Sequence, residues 1–472
     1  MPTTEASGPP SPDVPADLYA GRFDLYRARA ARTREHLRRA GVPALLVLDP
    51  VNIFYATGAR NMDLFTVRTP SRYLLVVEPG PAVLFEYFGC EHLADGLPTI
   101  DEVRAAEGLC TISSGGDPVG AAARMAAEIV GLLHDVDPTI NQLAVDRFPY
   151  PVIDALRSHG LRLSDADAVF LPARAVKLPV ELPYLREAMT RVDAAVARLE
   201  QAIAPGRTEA QVWSEFYGDL IATEGQYVCT RLFQSGPRTF PYFQECSERV
   251  LQAGDLVCLD TDACGFEGYS VDFSRTFLCG DGPAAAAQRT LYGRAREQLE
   301  HNAAPLRPGI EFRELAERAW PVPDEHRDSR YYCVGHGLGL AGEFPNIPHA
   351  IDGVPYPLPG VVEPGMVICL ESYVGSRAAG EGVKLEDQFL ITADGVERMS
   401  TYGFDDRLGR PRPRKQDLRP SWRSPSDRMK RSAPVVRLEP SKGSTRRFTV
   451  AIVGGCGYTG RASVCTMLPW SA

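Results

Sequence analysis

Between Leu256 and Phe277 the chain sets three aspartates, Asp260, Asp262 and Asp272, among Val, Cys, Leu and Phe. This stretch constrains the fold more than any other. Carboxylates on apolar strands are costly to bury unless a cation or a set of donors neutralises them. The run reads as two short strands joined by a Gly-rich turn. A hairpin would then bring Asp260 and Asp262, two residues apart and on one strand face, opposite Asp272.

More candidates follow downstream. His336 stands in Y-Y-C-V-G-H-G-L-G-L, framed by glycines that let backbone approach closely. Glu371 ends the apolar run E-P-G-M-V-I-C-L-E, and Glu386 lies in E-G-V-K-L-E-D beside Asp387, which reads as an ordinary surface acid. Hard oxygen ligands with one imidazole suit two divalent cations. Asp262, Asp272, Glu371 and Glu386 match the charge of two such ions. Asp260 adds a fifth negative charge, which favours a harder metal: iron or manganese ahead of zinc or cobalt.

The flanking sequence suggests how these residues are carried. Arg22 to Ala40 has the spacing of an amphipathic helix closed by Gly41, and Pro43 to Leu48 reads as a strand. Tyr73 to Val77 and Ala82 to Phe88 bracket the turn Glu78-Pro79-Gly80-Pro81, and Val119 to His134 is an apolar helix. Three prolines between Leu171 and Pro183 mark a boundary. Beyond it, Tyr184 to Ala204 is a long helix, and Thr208 with Gln211 forms a capping box for the next. Helices follow at Ala284 to Ala303 and Glu311 to Trp320, and strands at Leu256 to Leu259, Val367 to Leu370 and Phe389 to Ile391. The expected organisation is a disordered start over 1–18, an α/β domain over 19–175 and an α+β domain over 176–405.

The remaining sequence is set apart by composition. Residues 410–447 hold thirteen basic and three acidic side chains with six prolines. A segment of that kind buries too little apolar surface to order itself, so 406–447 reads as a basic disordered tail. One tryptophan, Trp422, gives little base-stacking capacity, and the whole chain carries -9, which argues against a nucleic-acid partner. Gly455, Gly457 and Gly460 form G-x-G-x-x-G after an apolar strand, yet only twelve residues follow Gly460. That is too short for a dinucleotide-binding βαβ unit, so 448–472 reads as a truncated fragment. Eleven cysteines without a C-x-x-C pair read as reduced thiols in a cytoplasmic protein. The opening residues do not read as a signal peptide, and no apolar run reaches the ~20 residues of a membrane span.

The order Asp, Asp, His, Glu, Glu resembles the creatinase, aminopeptidase P and prolidase family. "GDLVCLDTDACGFEGYSVDFSRTF" resembles its strand pair, "VGHGLGL" its histidine turn, and "EPGMVICLE" and "GVKLEDQFLIT" its glutamate strands. The resemblance covers about Tyr184 to Arg398, with a looser likeness from about Tyr19. It implies a pita-bread catalytic domain preceded by a creatinase-type domain, and a homodimer with one N-terminal domain near the partner's site. It also implies two metal ions held by Asp262, Asp272, His336, Glu371 and Glu386, with Asp272 and Glu386 bridging.

The chain departs from the peptidase pattern. Asp262 and Asp272 are one residue closer than usual, and the histidines that handle protons in peptide cleavage are replaced in G-L-A-G-E-F-P and P-Y-F-Q-E-C. "LDTD", "PYFQEC", "FEYFGCEHL", "GEFP" and "ATGARNMDLFTVRTPSRY" instead resemble the family's dimethylsulfoniopropionate lyase branch. That branch implies Asp260 as a sixth ligand, Tyr331 at the pocket and base-assisted elimination to dimethyl sulfide and acrylate. The place of the branch's base falls on Gly342, which cannot take a proton. Glu343, Tyr331 and His349 are the substitutes. Phe233, Phe240, Tyr242, Phe243, Tyr331 and Phe344 supply either a cage for an onium group or core packing. Three functions stand: a carbon–sulfur lyase, an Xaa-Pro peptidase or creatinase-like hydrolase, and a metal-binding pseudoenzyme.

Overall fold

The computed structural model describes residues 16–352 and 359–409. The glycine motif at 455–460 and residues 410–447 of the basic segment lie outside the described residues, whereas the first four residues expected in that disordered tail, Asp406–Gly409, form a short helix that buries Leu408.

The N-terminal half is built on a six-stranded sheet. Helix α1, Ala16–Arg39, precedes strand β1, Ala44–Val47; α2, Pro50–Thr57, and α3, Asp63–Arg68, lead to β2, Tyr73–Val77. Then come β3, Ala82–Glu86, β4, Glu102–Ala105, α4, Pro118–Val136, β5, Gln142–Val145, α5, Tyr150–Ser158, β6, Arg162–Asp165, and α6, Asp167–Ala175. Helix α1 starts inside the 1–18 segment expected to be disordered. The proline-marked boundary is helical as far as Ala175, because Pro172 sits inside α6.

The sheet order is β4-β3-β2-β1-β5-β6, with β2 antiparallel to both neighbours and the other pairs parallel. Strands β1, β2 and β3 are buried along their whole length, so both faces are covered. Strand alternation divides their side chains between two cores. Leu46, Leu75 and Val83 pack with Met125, Ile129 and Leu133 of α4. Leu45, Leu74 and Leu84 pack into a core that continues through α1 to helix α7, Leu182–Ala202, where Ala188, Val192 and Val196 belong to it.

Helix α8, Glu209–Ala222, starts where expected: Thr208 Oγ1 accepts from Gln211 N–H and the Gln211 side chain accepts from Thr208 N–H. Three small sheets follow. Strands β7, Tyr227–Val228, β10, Ala263–Cys264, and β11, Ser270–Val271, form one. Strands β8, Phe233–Ser235, β9, Leu256–Asp260, and β12, Ser274–Leu278, form the second. After helices α9, Ala286–Ala303, α10, Phe312–Glu317, and α11, Asp324–Arg327, come β13, Cys333–Leu338, β14, Gly342–Pro348, β15, Val367–Ser376, β16, Glu381–Ile391, and β17, Val396–Arg398. These last strands form a sheet in the order β14-β13-β15-β16-β17. Among the described residues no helix is long and apolar enough to cross a membrane.

Candidate metal centre

Asp260 is the last residue of β9, and the residue opposite it is Ser274 of β12, not Asp272. The expected shared face of Asp260 and Asp262 is not formed. The chain turns out of the strand at Asp262, whose φ is +40°, and Asp272 lies between β11 and β12. Tertiary packing, not strand alternation, therefore gathers the three aspartates.

His336 is placed by the middle of β13, with Cys369 of β15 opposite it. The glycines beside it are sterically required. A Cβ at Gly335 would stand 2.4 Å from Cys369 O, and one at Gly337 the same distance from Phe344 O. Glu371 and Glu386 face each other directly across β15 and β16. Like charges in such a pair are destabilising unless a cation intervenes.

Lys384, two residues before Glu386 and fully buried, is one such cation. Its Nζ lies 2.7 Å from Glu371 Oε2, 2.7 Å from Glu386 Oε2 and 3.2 Å from Asp260 Oδ2, and it donates to Ser274 Oγ at 2.6 Å. Burial disfavours the ammonium, but Asp260, Glu371 and Glu386 together hold its pKa well above the usual lysine value.

The remaining acceptors are not matched by donors. Asp272 Oδ1, Glu371 Oε1 and Glu386 Oε1 are buried without a hydrogen-bond partner. His336 Nε2 lies 3.4 Å from Glu371 Oε1, 3.6 Å from Asp272 Oδ2 and 3.8 Å from Glu386 Oε1. Those separations are long for hydrogen bonds and suit ligands sharing one cation at about 2.1 Å each. His336 Nδ1 stands 3.1 Å from Gly337 O, so its hydrogen bond to that carbonyl leaves the Nε2 lone pair for the cluster. Burial, reinforced by Glu386, drives the Asp272 carboxyl well above the usual range. Burial and then Glu371 do the same to Glu386. Asp262 is pushed up to about 6 by burial and by Asp260. Orphaned oxygens, a free imidazole nitrogen and suppressed ionisation fit cation binding.

Asp260 differs from its neighbours. Its Oδ1 accepts from Ser274 at 2.8 Å and its Oδ2 from Tyr242 at 2.6 Å. Burial opposes its charge, yet Lys384 and these donors hold its pKa below the usual value. Because Lys384 offsets the fifth carboxylate, charge alone gives no preference for a harder metal.

The sequence reading missed two groups. One is Lys384. The other is Cys369, whose Sγ falls within 4.8 Å of ligand atoms of Asp272, His336 and Glu386. The alternation of Cys369 and Glu371, two apart on one strand, was the available signal. Asp387, expected at the surface, is instead 1% exposed. It accepts from Arg275 at 2.8 Å and from Arg398.

An aromatic wall borders the cluster. The rings of Tyr242, Phe243 and Tyr331 lie within 4.8 to 5.7 Å of one another, and Lys384 Nζ is 4.7 Å from the Tyr331 centroid. Phe240 packs against this wall, whereas Phe233 lies in the main core and Phe344 packs on Phe312. Burial, reinforced by the charge of Glu371, raises the Tyr331 pKa far above the tyrosine range, which favours the neutral phenol over the phenolate.

Glu343 is not brought into the cluster. Arg174 Nε donates to both of its carboxylate oxygens, at 3.0 and 3.1 Å. Neither does His349 join it. The ring is 2% exposed, with Nε2 unpartnered, and burial followed by the charge of Arg330 lowers its pKa to about 4. At Gly342 a Cβ would meet nothing within 4 Å.

Residues 183–393 match the model of metallopeptidase family M24, and residues 29–176 that of the Creatinase/Prolidase N-terminal domain. The chain is 33% identical over 408 residues to dimethylsulfoniopropionate lyase DddP of Roseobacter denitrificans, covering 83% of this chain and 90% of that protein. It is 34% identical to the DddP of Roseovarius nubinhibens, over 77% of this chain and 83% of the relative. Among solved structures, the prolidase of Pyrococcus horikoshii superposes with a TM-score of 0.65 at 20% identity, covering 80% of this chain and 99% of the prolidase. That likeness establishes the α+β architecture, a pita-bread domain behind a creatinase-type α/β domain. By both domain matches and by these relatives, the chain belongs to the M24 metallopeptidase family.

Proposed function

We propose that the chain is a metal-dependent carbon–sulfur lyase that eliminates dimethyl sulfide from dimethylsulfoniopropionate or a similar small zwitterion, leaving acrylate. The carrying observation is the pairing of a carboxylate-rich cluster that has orphaned oxygens with the wall of Tyr242, Phe243 and Tyr331. The two DddP relatives support the same reading.

The proposed ligands are Asp260, Asp262, Asp272, His336, Glu371 and Glu386, for two divalent ions drawn from iron, manganese, zinc and cobalt, with no order among them once Lys384 offsets the fifth carboxylate. Asp260, whose oxygens already have protein donors, is the weakest of the six. A bound metal supplies Lewis acidity toward the substrate carboxylate, which acidifies the carbon beside it. The aromatic faces attract the sulfonium. Tyr331, as a neutral phenol, positions substrate by donating a hydrogen bond. Elimination breaks Cα–H and Cβ–S: the proton goes to a base, and the C–H pair forms the double bond as sulfur leaves with its own. Glu343 can serve as base only if Arg174 releases it.

Purified protein loaded with iron, manganese, zinc or cobalt in turn should release dimethyl sulfide into the headspace. Silence under all four sinks the lyase, and release of proline from Xaa-Pro dipeptides would put a peptidase in its place. The unpaired cysteines support a reducing, cytoplasmic setting. Exposed Leu64, Phe65 and Val67 on α3 support a homodimer, to be checked by sedimentation.

A further inference from the structure

The N-terminal sheet carries a cavity that none of the proposed metal ligands lines, although Gly342 of β14 does. From β1 the chain continues to β2 on one side, whereas β5 continues to β6 on the other, so the connections part at the carboxyl ends of β1 and β5. Such a switch point in an open α/β sheet is where ligands bind. A cavity of about 570 Å³ opens there.

Its lining has a definite chemistry. Asp146, at the end of β5, accepts from Leu48 N–H, Asp49 N–H and the Asn52 amide, which pins the two strand ends together. Arg174, 9% exposed, donates Nε to Glu343 and Nη1 to Asn52 Oδ1, while its Nη2 has no acceptor among the described residues. Arg157 also lines the cavity and forms no ion pair among the described residues. These donors call for an anionic acceptor. Asp165 and Asp167 line the same cavity, exposed to solvent, and would repel a dianion such as phosphate. A ligand satisfying both groups carries a carboxylate and a cationic end.

We propose that this crevice is a second ligand site, for a small zwitterion of amino-acid type whose carboxylate meets Arg174 and Arg157 and whose cationic end meets Asp165 and Asp167. The site stands independently of the reaction proposed above. Because Arg174 also holds Glu343, the occupant shares a residue with the strand that pairs with the one carrying His336.

The test is calorimetric titration of the metal-loaded full chain with β-alanine, with acetate as the anion-only probe. Saturable β-alanine binding at about millimolar or tighter affinity is expected, with acetate at least about tenfold weaker. Arg157→Ala, at an exposed and unpaired position, and Ser164→Phe, which narrows the cavity, should each weaken it about tenfold with metal content unchanged. Asp272→Ala, which disables the metal centre, should retain it. Three results would overturn the site: no saturable binding up to about 10 mM, equal binding of acetate, or binding lost in Asp272→Ala but kept in Arg157→Ala.

Discussion

Buried carboxylates occur in two settings in this molecule, and they are balanced differently. Away from the centre, buried acids are met by arginines of their own: Arg174 for Glu343, Arg275 and Arg398 for Asp387, Arg72 for Glu86. In the centre, Asp260, Asp262, Asp272, Glu371 and Glu386 share a single lysine and a single histidine. Paired ions of the first kind hold elements in place and contribute little net stability. A surplus of the second kind is stable only if cations arrive from solution or protons stay on. Excess charge, rather than acidity as such, distinguishes the functional acids from the structural ones.

The contrast breaks most sharply at the bridge between β15 and β16. Glu386→Gln should remove bound metal and lower turnover about 10³-fold, equivalent to about 4 kcal/mol, as read by elemental analysis beside the headspace assay. Asp387→Asn, one residue away, should leave metal content intact and cost only stability. If both variants lose metal equally, the distinction between the two settings fails.

Lys384→Met probes the same point from the cation's side. It strips the centre of its only lysine, so the metal-free protein should lose about 3 to 5 kcal/mol of unfolding free energy. The loaded protein should lose less, because bound ions then face the extra carboxylate. Equal losses in denaturant titrations with and without metal would show that Lys384 is merely structural.

Glu343→Gln leaves Arg174 without its anion, and about 3 kcal/mol of stability should go with it. Turnover by the folded fraction should change less than about tenfold, whereas general base catalysis would make the loss about 10² to 10⁴-fold. A loss of that larger size with metal retained would make Glu343 the base.

The smallest effect concerns His349, a buried ring with neither kind of balance. Its folded pKa of about 4 lies below the unfolded value of about 6.5, so the folded state binds fewer protons. Stability is therefore full above pH 6.5 and is lost as pH falls toward 4, by about 3 kcal/mol at most. His349→Gln should flatten that part of the pH profile in thermal unfolding. An unchanged profile would mean that the ring titrates alike in the folded and unfolded states.

The clustered acids were readable in the chain because acids between Val, Leu and Phe break the apolar pattern of a buried strand. Lys384 was not, since a lysine two residues from a glutamate in a strand looks the same whether its face meets water or a cluster. Asp387 failed for the related reason that β16 is covered on both faces, so neither phase of the alternation points to solvent. Asp262 depended on a left-handed backbone conformation that local sequence does not specify, and Pro172 was read as a breaker although α6 accommodates it. Glu343 required knowing that a helix 169 residues earlier would present Arg174.

The division of β1 between two cores bears on how the molecule can be taken apart. Leu45 and Val47 sit in the same continuous core as Ala188, Val192 and Phe216, although the boundary in sequence falls between them. Cutting the chain after α6 would turn an inner surface of the catalytic half into an outer one. The two halves are thus poor candidates for separate expression or for exchange between relatives. A graft of the catalytic half onto another N-terminal domain would have to match this shared interior side chain by side chain, as one would repack a single core.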